Sequence, residues 1–325
     1  MVNLVRDGLI ANLRYYLEVR RNPLYKEWLE KYEGLENPSG RTFRRVGPRE
    51  GYYFCSFHSH TNNRSLEDVG RIASERGLDL CFIMDHDKDE KFNGDLVKYY
   101  NFGKKGIYLI KGVECRCKDP RGRFRKPKRV KMLFALYEGK IEPKQPLVET
   151  VKKAKSQGAI VITPSTLLEG DSGGIGEEDL AFLMQDPSTR VDALESLDAG
   201  YGFLGIKLNR LYWACVVTEY LADKYGLPVV WSSNDHVNRE IGVAGNFIAN
   251  KDLSCLVNPD EVVRNPNILR EQLKSVFKRR AVFPAGFFSP KLGFIDLERL
   301  KIILEDSVES LGRKVESFYD SIFRK

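Results

Sequence analysis

The chain contains four histidines, and each lies at or just after the end of a segment that is typical of a β-strand. His58 and His60 follow the run "YYFCSF", His86 follows "LDLCFIM" and His236 follows "LPVVWSSN". Because the carboxyl ends of the parallel strands in an α/β barrel all open on one face, we expect the four imidazoles to converge there. A single histidine near a strand is usually an ordinary core or surface residue, but this repeated placement predicts a shared site.

Acidic residues accompany the histidines. Asp85 precedes His86, Glu114 ends the predicted strand "GIYLIKGVE" and Asp235 precedes His236. Imidazole and carboxylate groups together favour a divalent metal ion, with Zn²⁺, Mn²⁺ and Fe²⁺ all suitable. The His-x-His spacing suits such a site, because residues i and i+2 of an extended segment point to the same side. Asp85 could orient His86 or a bound water in catalysis, or could simply stabilise a turn.

The elements that must position these residues alternate along the chain. Strands are predicted at 52–57, 79–84, 107–113, 130–136, 159–163, 191–195 and 228–232. Helical stretches lie between most of them, including a helix over 66–76 whose start carries a capping box of Ser65 and Asp68. Strand, helix and strand at this spacing predict parallel βαβ units, and about seven units predict an α/β fold of the TIM-like barrel type.

Length and composition define the remaining organisation. The 325 residues suit a barrel over 50–290, an N-terminal helical extension and linker over 1–48, and a C-terminal helix over 291–325. A hydrophobic content of 42% and a charged content of 30% exclude a disordered or collagen-like chain. We find neither a membrane-spanning run nor a signal peptide, so we expect a cytoplasmic protein. Six cysteines are too few for a disulfide scaffold, and we expect buried thiols.

The positive charge of the chain is concentrated in one segment. The net charge is +7, but residues 116–131 contain nine basic residues and one acidic residue, which leaves the rest of the chain at −1. This segment is predicted to form a loop or a two-stranded extension. It could contact a polyanion through Arg121, Arg123 and Arg125, or it could be a solvated charged loop.

Four segments carry a family resemblance. "FHSHTNNRS", "LCFIMDHDK", "KGVEC" and "WSSNDHVNREIG" resemble, in order and spacing, the motifs of the PHP (polymerase and histidinol phosphatase) family over about residues 52–285. The resemblance implies a distorted (β/α)7 barrel that acts as a phosphoesterase, with up to three metal ions at the carboxyl ends of the strands.

The chain departs from the family pattern at several ligand positions. Ser65 and Leu66 replace an Asp or His, Met132 or Leu133 replaces a His, and Thr163 replaces the His of a His-Pro pair. In the last motif Asn234 occupies the position of an Asp, and Asp235 follows it.

The ligand set that the resemblance implies is therefore reduced. One ion would be held by His58, His60, Glu114 and Asn234, with Asp235 as a substitute, and a second by His86 and His236. A third would have only Glu114. We therefore expect one or two divalent ions of Zn, Mn or Fe.

The expected activity is metal-dependent hydrolysis of a phosphate ester, either of a phosphorylated small molecule or of a nucleic acid. Lys88 and Arg239 lie beside the predicted ligands and could bind the phosphate, or could be solvated loop charges. The alternative is a catalytically degenerate protein that binds nucleic acid or another polyanion through 116–131. The sequence leaves the substrate and the oligomeric state open.

Overall fold

The computed structural model describes residues 49–87, 90–103, 105–118, 129–164, 174–198, 218–219, 221–234, 241–242 and 244–286. The predicted N-terminal extension over 1–48 and C-terminal helix over 291–325 lie outside the described residues, so the predicted domain boundaries stay predictions. Five of the six cysteines are described, and all five are buried free thiols, as expected.

Ten strands are described, and they form a single sheet. They are β1 (Tyr52–Ser59), β2 (Leu80–Ile83), β3 (Val97–Asn101), β4 (Gly106–Lys118), β5 (Arg129–Ala135), β6 (Ile160–Thr163), β7 (Ala193–Asp198), β8 (Val229–Ser232), β9 (Ala244–Ala249) and β10 (Phe283–Gly286). Their order is β10-β9-β1-β2-β4-β5-β6-β7-β8, and β3 pairs with β4. Each of the seven predicted strands is present.

Helices cover the sheet between these strands. The α-helices are α1 (Leu66–Glu75), α2 (Leu147–Ser156), α3 (Glu177–Gln185), α4 (Pro259–Arg264) and α5 (Pro266–Lys278), and 3₁₀ helices occur at Glu90–Phe92 and Asn250–Val257. The predicted capping box is present, because the Ser65 hydroxyl accepts a hydrogen bond from the Asp68 N–H at 3.0 Å. None of the described helices is long and apolar enough to cross a membrane.

The strand directions depart from a simple series of parallel units at several places, because β3 is antiparallel to β4, and β9 is antiparallel to β1 and β10. β1–β2, β2–β4, β6–β7 and β7–β8 are parallel, but β5 is antiparallel to both β4 and β6. Only ten residues separate β4 from β5, which is too short for a parallel crossover but sufficient for an antiparallel connection. The two ends of the basic segment thus pair with each other from Arg116↔Lys131 to Lys118↔Arg129, in agreement with the predicted alternative of a two-stranded extension.

Glu114 lies within β4, whereas the sequence analysis wrongly placed it at the strand end.

Hydrogen bonds connect β8, at one end of the sheet, with β9 and β1 near the other end. The Asn246 amide of β9 donates to the Trp231 carbonyl of β8 at 2.7 Å and accepts from the Trp231 N–H at 2.9 Å. The Asn234 N–H, just after β8, donates to the His58 carbonyl at 3.0 Å. The result is a mixed α/β fold with a nearly closed, barrel-shaped sheet, which confirms the predicted fold class.

Candidate metal centre

An extra residue in β1 lies at the start of the His-x-His pair and directs its side chains toward the site. Between Ser56 and Ser59 the β1–β2 pairing shifts by one residue, and the two serine hydroxyls, three residues apart, lie 3.2 Å from each other. Phe57 packs in the apolar core cluster that also contains Phe82 and Ile162. His58 follows directly and contacts polar groups instead, because such an irregularity redirects the side chains after it.

His58, His60 and Glu114 form a compact buried group. The His58 Nε2 and His60 Nε2 atoms are 3.1 Å apart, and they lie 3.9 Å and 3.8 Å from Glu114 Oε2. All three residues are at most 2% exposed. The predicted convergence of the His-x-His pair with Glu114 is therefore present in the structure.

This group has the dimensions of a metal site. One ligand atom from each residue can be chosen so that all three lie within 4.8 Å of one another. Tetrahedral ligands about 2.0–2.2 Å from a zinc-like ion are roughly 3.4 Å apart, which is close to the three observed separations. The donor set and its geometry thus fit a divalent ion.

His86, which follows β2, contacts the same carboxylate. Its Nδ1 atom lies 2.5 Å from Glu114 Oε2, and its ring centroid is 4.6 Å from that of His60. The His86 side chain is 39% exposed, unlike the buried pair on β1. Three of the four histidines therefore meet, and His86 lies on the solvent side of the group.

A further charged residue lies against Glu114. Lys131 of β5 places its Nζ atom 2.9 Å from Glu114 Oε1. Burial would raise the pKa of the Glu114 carboxyl, but the Lys131 ammonium and the nearby imidazoles of His86 and His58 outweigh it and hold the pKa well below its usual range. Glu114 is therefore a carboxylate at neutral pH, as a metal ligand must be.

Glu195 of β7 orients His58. Its fully buried carboxylate lies 3.0 Å from His58 Nδ1 and also accepts a hydrogen bond from the Ser232 hydroxyl. A proton on Nδ1 that is donated to this carboxylate leaves the Nε2 lone pair directed at His60 and Glu114. The sequence analysis missed Glu195, although a lone acid within the apolar strand "ALESL" was an available signal.

Asp85 holds the turn after β1. Its carboxylate accepts hydrogen bonds from the Thr61 N–H at 2.7 Å and the Thr61 hydroxyl at 2.5 Å. Its Oδ1 atom also lies 3.9 Å from His60 Nδ1. The contacts given for the Asp85 carboxylate are thus with Thr61 and His60, which fits the turn-stabilising alternative of the sequence analysis, and its role toward His86 or a water stays a prediction.

Most of the residues that replace the expected ligands are buried, and the exception is Ser65, which is exposed. Leu133 lies directly opposite Glu114 in the β4–β5 register and packs in the same apolar cluster as Phe57. Leu66 packs with the buried face of α1, and Thr163 ends β6 with no exposed surface. Asn234 is also buried, with a φ of 42°, a left-handed conformation that Asn adopts more readily than most residues.

The other predicted site residues lie outside the part of the chain that the structure describes. They are Lys88, Arg121, Arg123, Arg125, Asp235, His236 and Arg239. Their roles stay predictions.

Comparison with known proteins finds similar solved structures only. No family model matches the chain, and no curated protein matches it. Similar solved structures include a two-domain protein of Bacteroides vulgatus ATCC 8482 that contains a predicted PHP-like metal-dependent phosphoesterase. It is 17% identical, with 76% of this chain and 70% of that chain covered and a TM-score of 0.46.

Two further structures have lower scores. PsfC from Pseudomonas syringae PB-5123 is 12% identical, with 61% of this chain and 82% of that chain covered and a TM-score of 0.41. Endonuclease Q, in complex with a 27-mer duplex that has an abasic lesion at the active site, is 13% identical, with 60% and 52% covered and a TM-score of 0.35. The resemblance to PHP proteins that the four motifs carry stays a prediction.

Proposed function

We propose that this chain is a metal-dependent phosphoesterase of the PHP type, which hydrolyses a phosphate ester at the group of His58, His60 and Glu114. The observation that carries the proposal is the convergence of two imidazoles and one carboxylate, fully buried and within 4.8 Å of one another. The substrate would be a phosphorylated small molecule or a nucleic acid.

In this proposal the residues of the site have different roles. His58, His60 and Glu114 would hold a Zn²⁺, Mn²⁺ or Fe²⁺ ion, with Asn234, Asp235, His86 and His236 as further candidates. A divalent ion supplies Lewis acidity that polarises a phosphoryl oxygen and makes water a nucleophile near neutral pH. Glu195 fixes the His58 tautomer, and Asp85 fixes the turn that follows His60.

Substrate would reach the site from the side of His86, whose side chain is the most exposed of the three described histidines. Lys88 and Arg239 would bind the phosphate group from the loops beside the ligands. Arg121, Arg123 and Arg125 would hold a longer polyanionic substrate.

The first experiment measures metal per chain by elemental analysis, and hydrolysis of a panel of phosphate esters, for the wild type and for His58→Ala/His60→Ala. The control is Lys140→Met, which removes an exposed lysine that pairs with Glu142. We expect at least one ion per chain and metal-dependent hydrolysis in the wild type and the control, and neither in the double variant. A metal-loaded wild type that cleaves no phosphate ester, or a wild type that takes up no metal, would contradict the proposal.

A second candidate function is binding of nucleic acid through residues 116–131 without catalysis. The observation that favours it is the pairing of β4 with β5, which places both ends of the basic segment on the strand that carries Glu114 and on its partner. Neutralising Arg121, Arg123, Arg125 and Lys126 should then abolish salt-sensitive binding of duplex or single-stranded DNA. Unchanged affinity in that variant would remove this candidate.

A further inference from the structure

The two oxygens of Glu114 have different neighbours. Oε2 faces the three imidazoles, with His86 Nδ1 at 2.5 Å and the Nε2 atoms of His58 and His60 at 3.9 Å and 3.8 Å. Oε1 lies 2.9 Å from the Lys131 ammonium. A carboxylate that could bridge two cations thus already has a fixed cation on one side.

The position of Lys131 follows from the inverted strand β5. In the β4–β5 register Lys131 pairs with Arg116, and Leu133 pairs with Glu114. Lys131 and Leu133 are two residues apart on a strand, so their side chains lie on the same face, and the lysine reaches diagonally across to Glu114.

A second divalent ion at Oε1 would meet two obstacles. It would have to lie about 2.0–2.2 Å from that oxygen, close to an ammonium of like charge. Besides Lys131, the residues of β5 and β6 that the strand register places beside Glu114 are Leu133 and Ile162, which are fully buried in the apolar core and offer no ligand atom. Among the residues that the structure describes, both the charge of Lys131 and the apolar packing of Leu133 and Ile162 therefore oppose a second ion at this oxygen.

We infer that Lys131 takes the place of a second metal ion at Glu114, so that the centre holds one divalent ion and the lysine binds the phosphate group of the substrate. This inference rests on the proposed function. An ammonium has three N–H donors, so it can hold Glu114 and a phosphate oxygen at once. The Lys131 side chain is 20% exposed, in contrast to 3% for Glu114, so it is accessible to a ligand.

The stoichiometry is tested by titrating the full-length, metal-free protein with Co²⁺ and counting bound ions by native mass spectrometry. We expect one tightly bound ion per chain. Two tightly bound ions would overturn the inference and leave the proposed function intact, whereas no bound ion would overturn both.

The role of Lys131 is tested by adding inorganic phosphate to the Co²⁺-loaded protein and following the visible absorption of Co²⁺ together with the heat of binding. In Lys131→Met we expect Co²⁺ binding at least as tight as in the wild type, because a positive charge has been removed, but phosphate affinity lower by at least about tenfold. Lys131→Arg should recover much of the phosphate affinity because it restores the charge.

Lys140→Met, which removes an exposed lysine elsewhere, is the matched control and should bind phosphate like the wild type. Equal phosphate affinity in the wild type and in Lys131→Met would overturn the inference, as would a Lys131→Met variant whose Co²⁺ affinity falls in parallel with its phosphate affinity.

Discussion

On the β1–β2 side of Glu114 the strand ends carry imidazoles, whereas on the β5–β6 side they carry an ammonium, an aliphatic side chain and a hydroxyl. The first group is His58, His60 and His86, and the second is Lys131, Leu133 and Thr163. Both flanks are well packed, so the difference lies in the chemistry of the side chains and not in the order of the structure.

The comparison teaches that an apolar flank and a polar flank of one carboxylate are stabilised by different interactions. On the β5–β6 side, Leu133 fills the interior and contributes to the core. On the β1–β2 side, buried polar groups are retained and hydrogen-bonded, as His58 is to Glu195 of β7. The two flanks should therefore respond to mutation in opposite ways.

Glu114→Gln should have the largest effect, because it removes the one charged ligand that the two flanks share. We expect the affinity for Zn²⁺ to fall by at least about 1000-fold, since a neutral amide is a weak ligand and the buried cations lose their carboxylate. Isothermal titration calorimetry measures the affinity. Glu142→Gln, a half-exposed residue, is the control, and a Glu114→Gln variant with wild-type affinity would remove Glu114 from the ligand set.

Leu133→Ala should distinguish the two flanks, because it should lower the stability of the core and leave the metal affinity unchanged. We expect the free energy of unfolding to fall by about 3 kcal/mol, as is usual for truncating a fully buried leucine. Urea denaturation measures this loss, and metal titration of the folded variant should give the wild-type affinity. A large loss of metal affinity would show that the two flanks are coupled.

Glu195→Gln should act in the opposite manner, with a modest effect on the metal and little on the core. A glutamine keeps the shape but no longer supplies the negative charge that holds the His58 tautomer. We expect metal affinity to fall by about 10- to 100-fold. If the affinity in calorimetry does not change, Glu195 is a purely structural residue.

The smallest expected effect is the acid response of the metal-free protein. The folded-state pKa of Glu114 is depressed below its ordinary value of 4.5, so its ionised form stabilises the fold above that pH, and this contribution is lost as the pH falls further. Glu114→Gln should therefore lose less stability than the wild type below pH 4.5, by up to about 1.4 kcal/mol per pH unit. Parallel curves in urea denaturation at pH 4.5 and below would contradict this.

The sequence predicts the elements of this fold better than their directions. Apolar runs between turn residues are strong local signals, and the seven strands found by them are present. The antiparallel direction of β5 depends on a connection too short for a crossover helix, which local patterns do not encode. β9 and β10 were missed because "AGNFIA" carries a buried asparagine and "FPAG" carries a proline, and both residues are unfavourable in strands.

The same limit applies to the site. His58, His60, His86 and Glu114 could be found because residue type and position after a strand are visible locally. Glu195 could not be assigned to His58 by such reasoning, because 137 residues separate them and only the closure of the barrel brings them together. Lys131 was counted as part of the basic segment, and its contact with Glu114 follows from the register of β5.

The Asn246 side chain makes, with Trp231, the paired hydrogen bonds that a neighbouring strand would otherwise make. A single side chain can rotate away at a smaller free-energy cost than a strand ladder can separate, so amide hydrogen exchange should be faster at Trp231 than within the β1–β2 pairing. The bond from the Asn234 N–H to the His58 carbonyl lies at the same seam. Local opening of the barrel would therefore begin beside the candidate ligands, and an ion bound there would slow it.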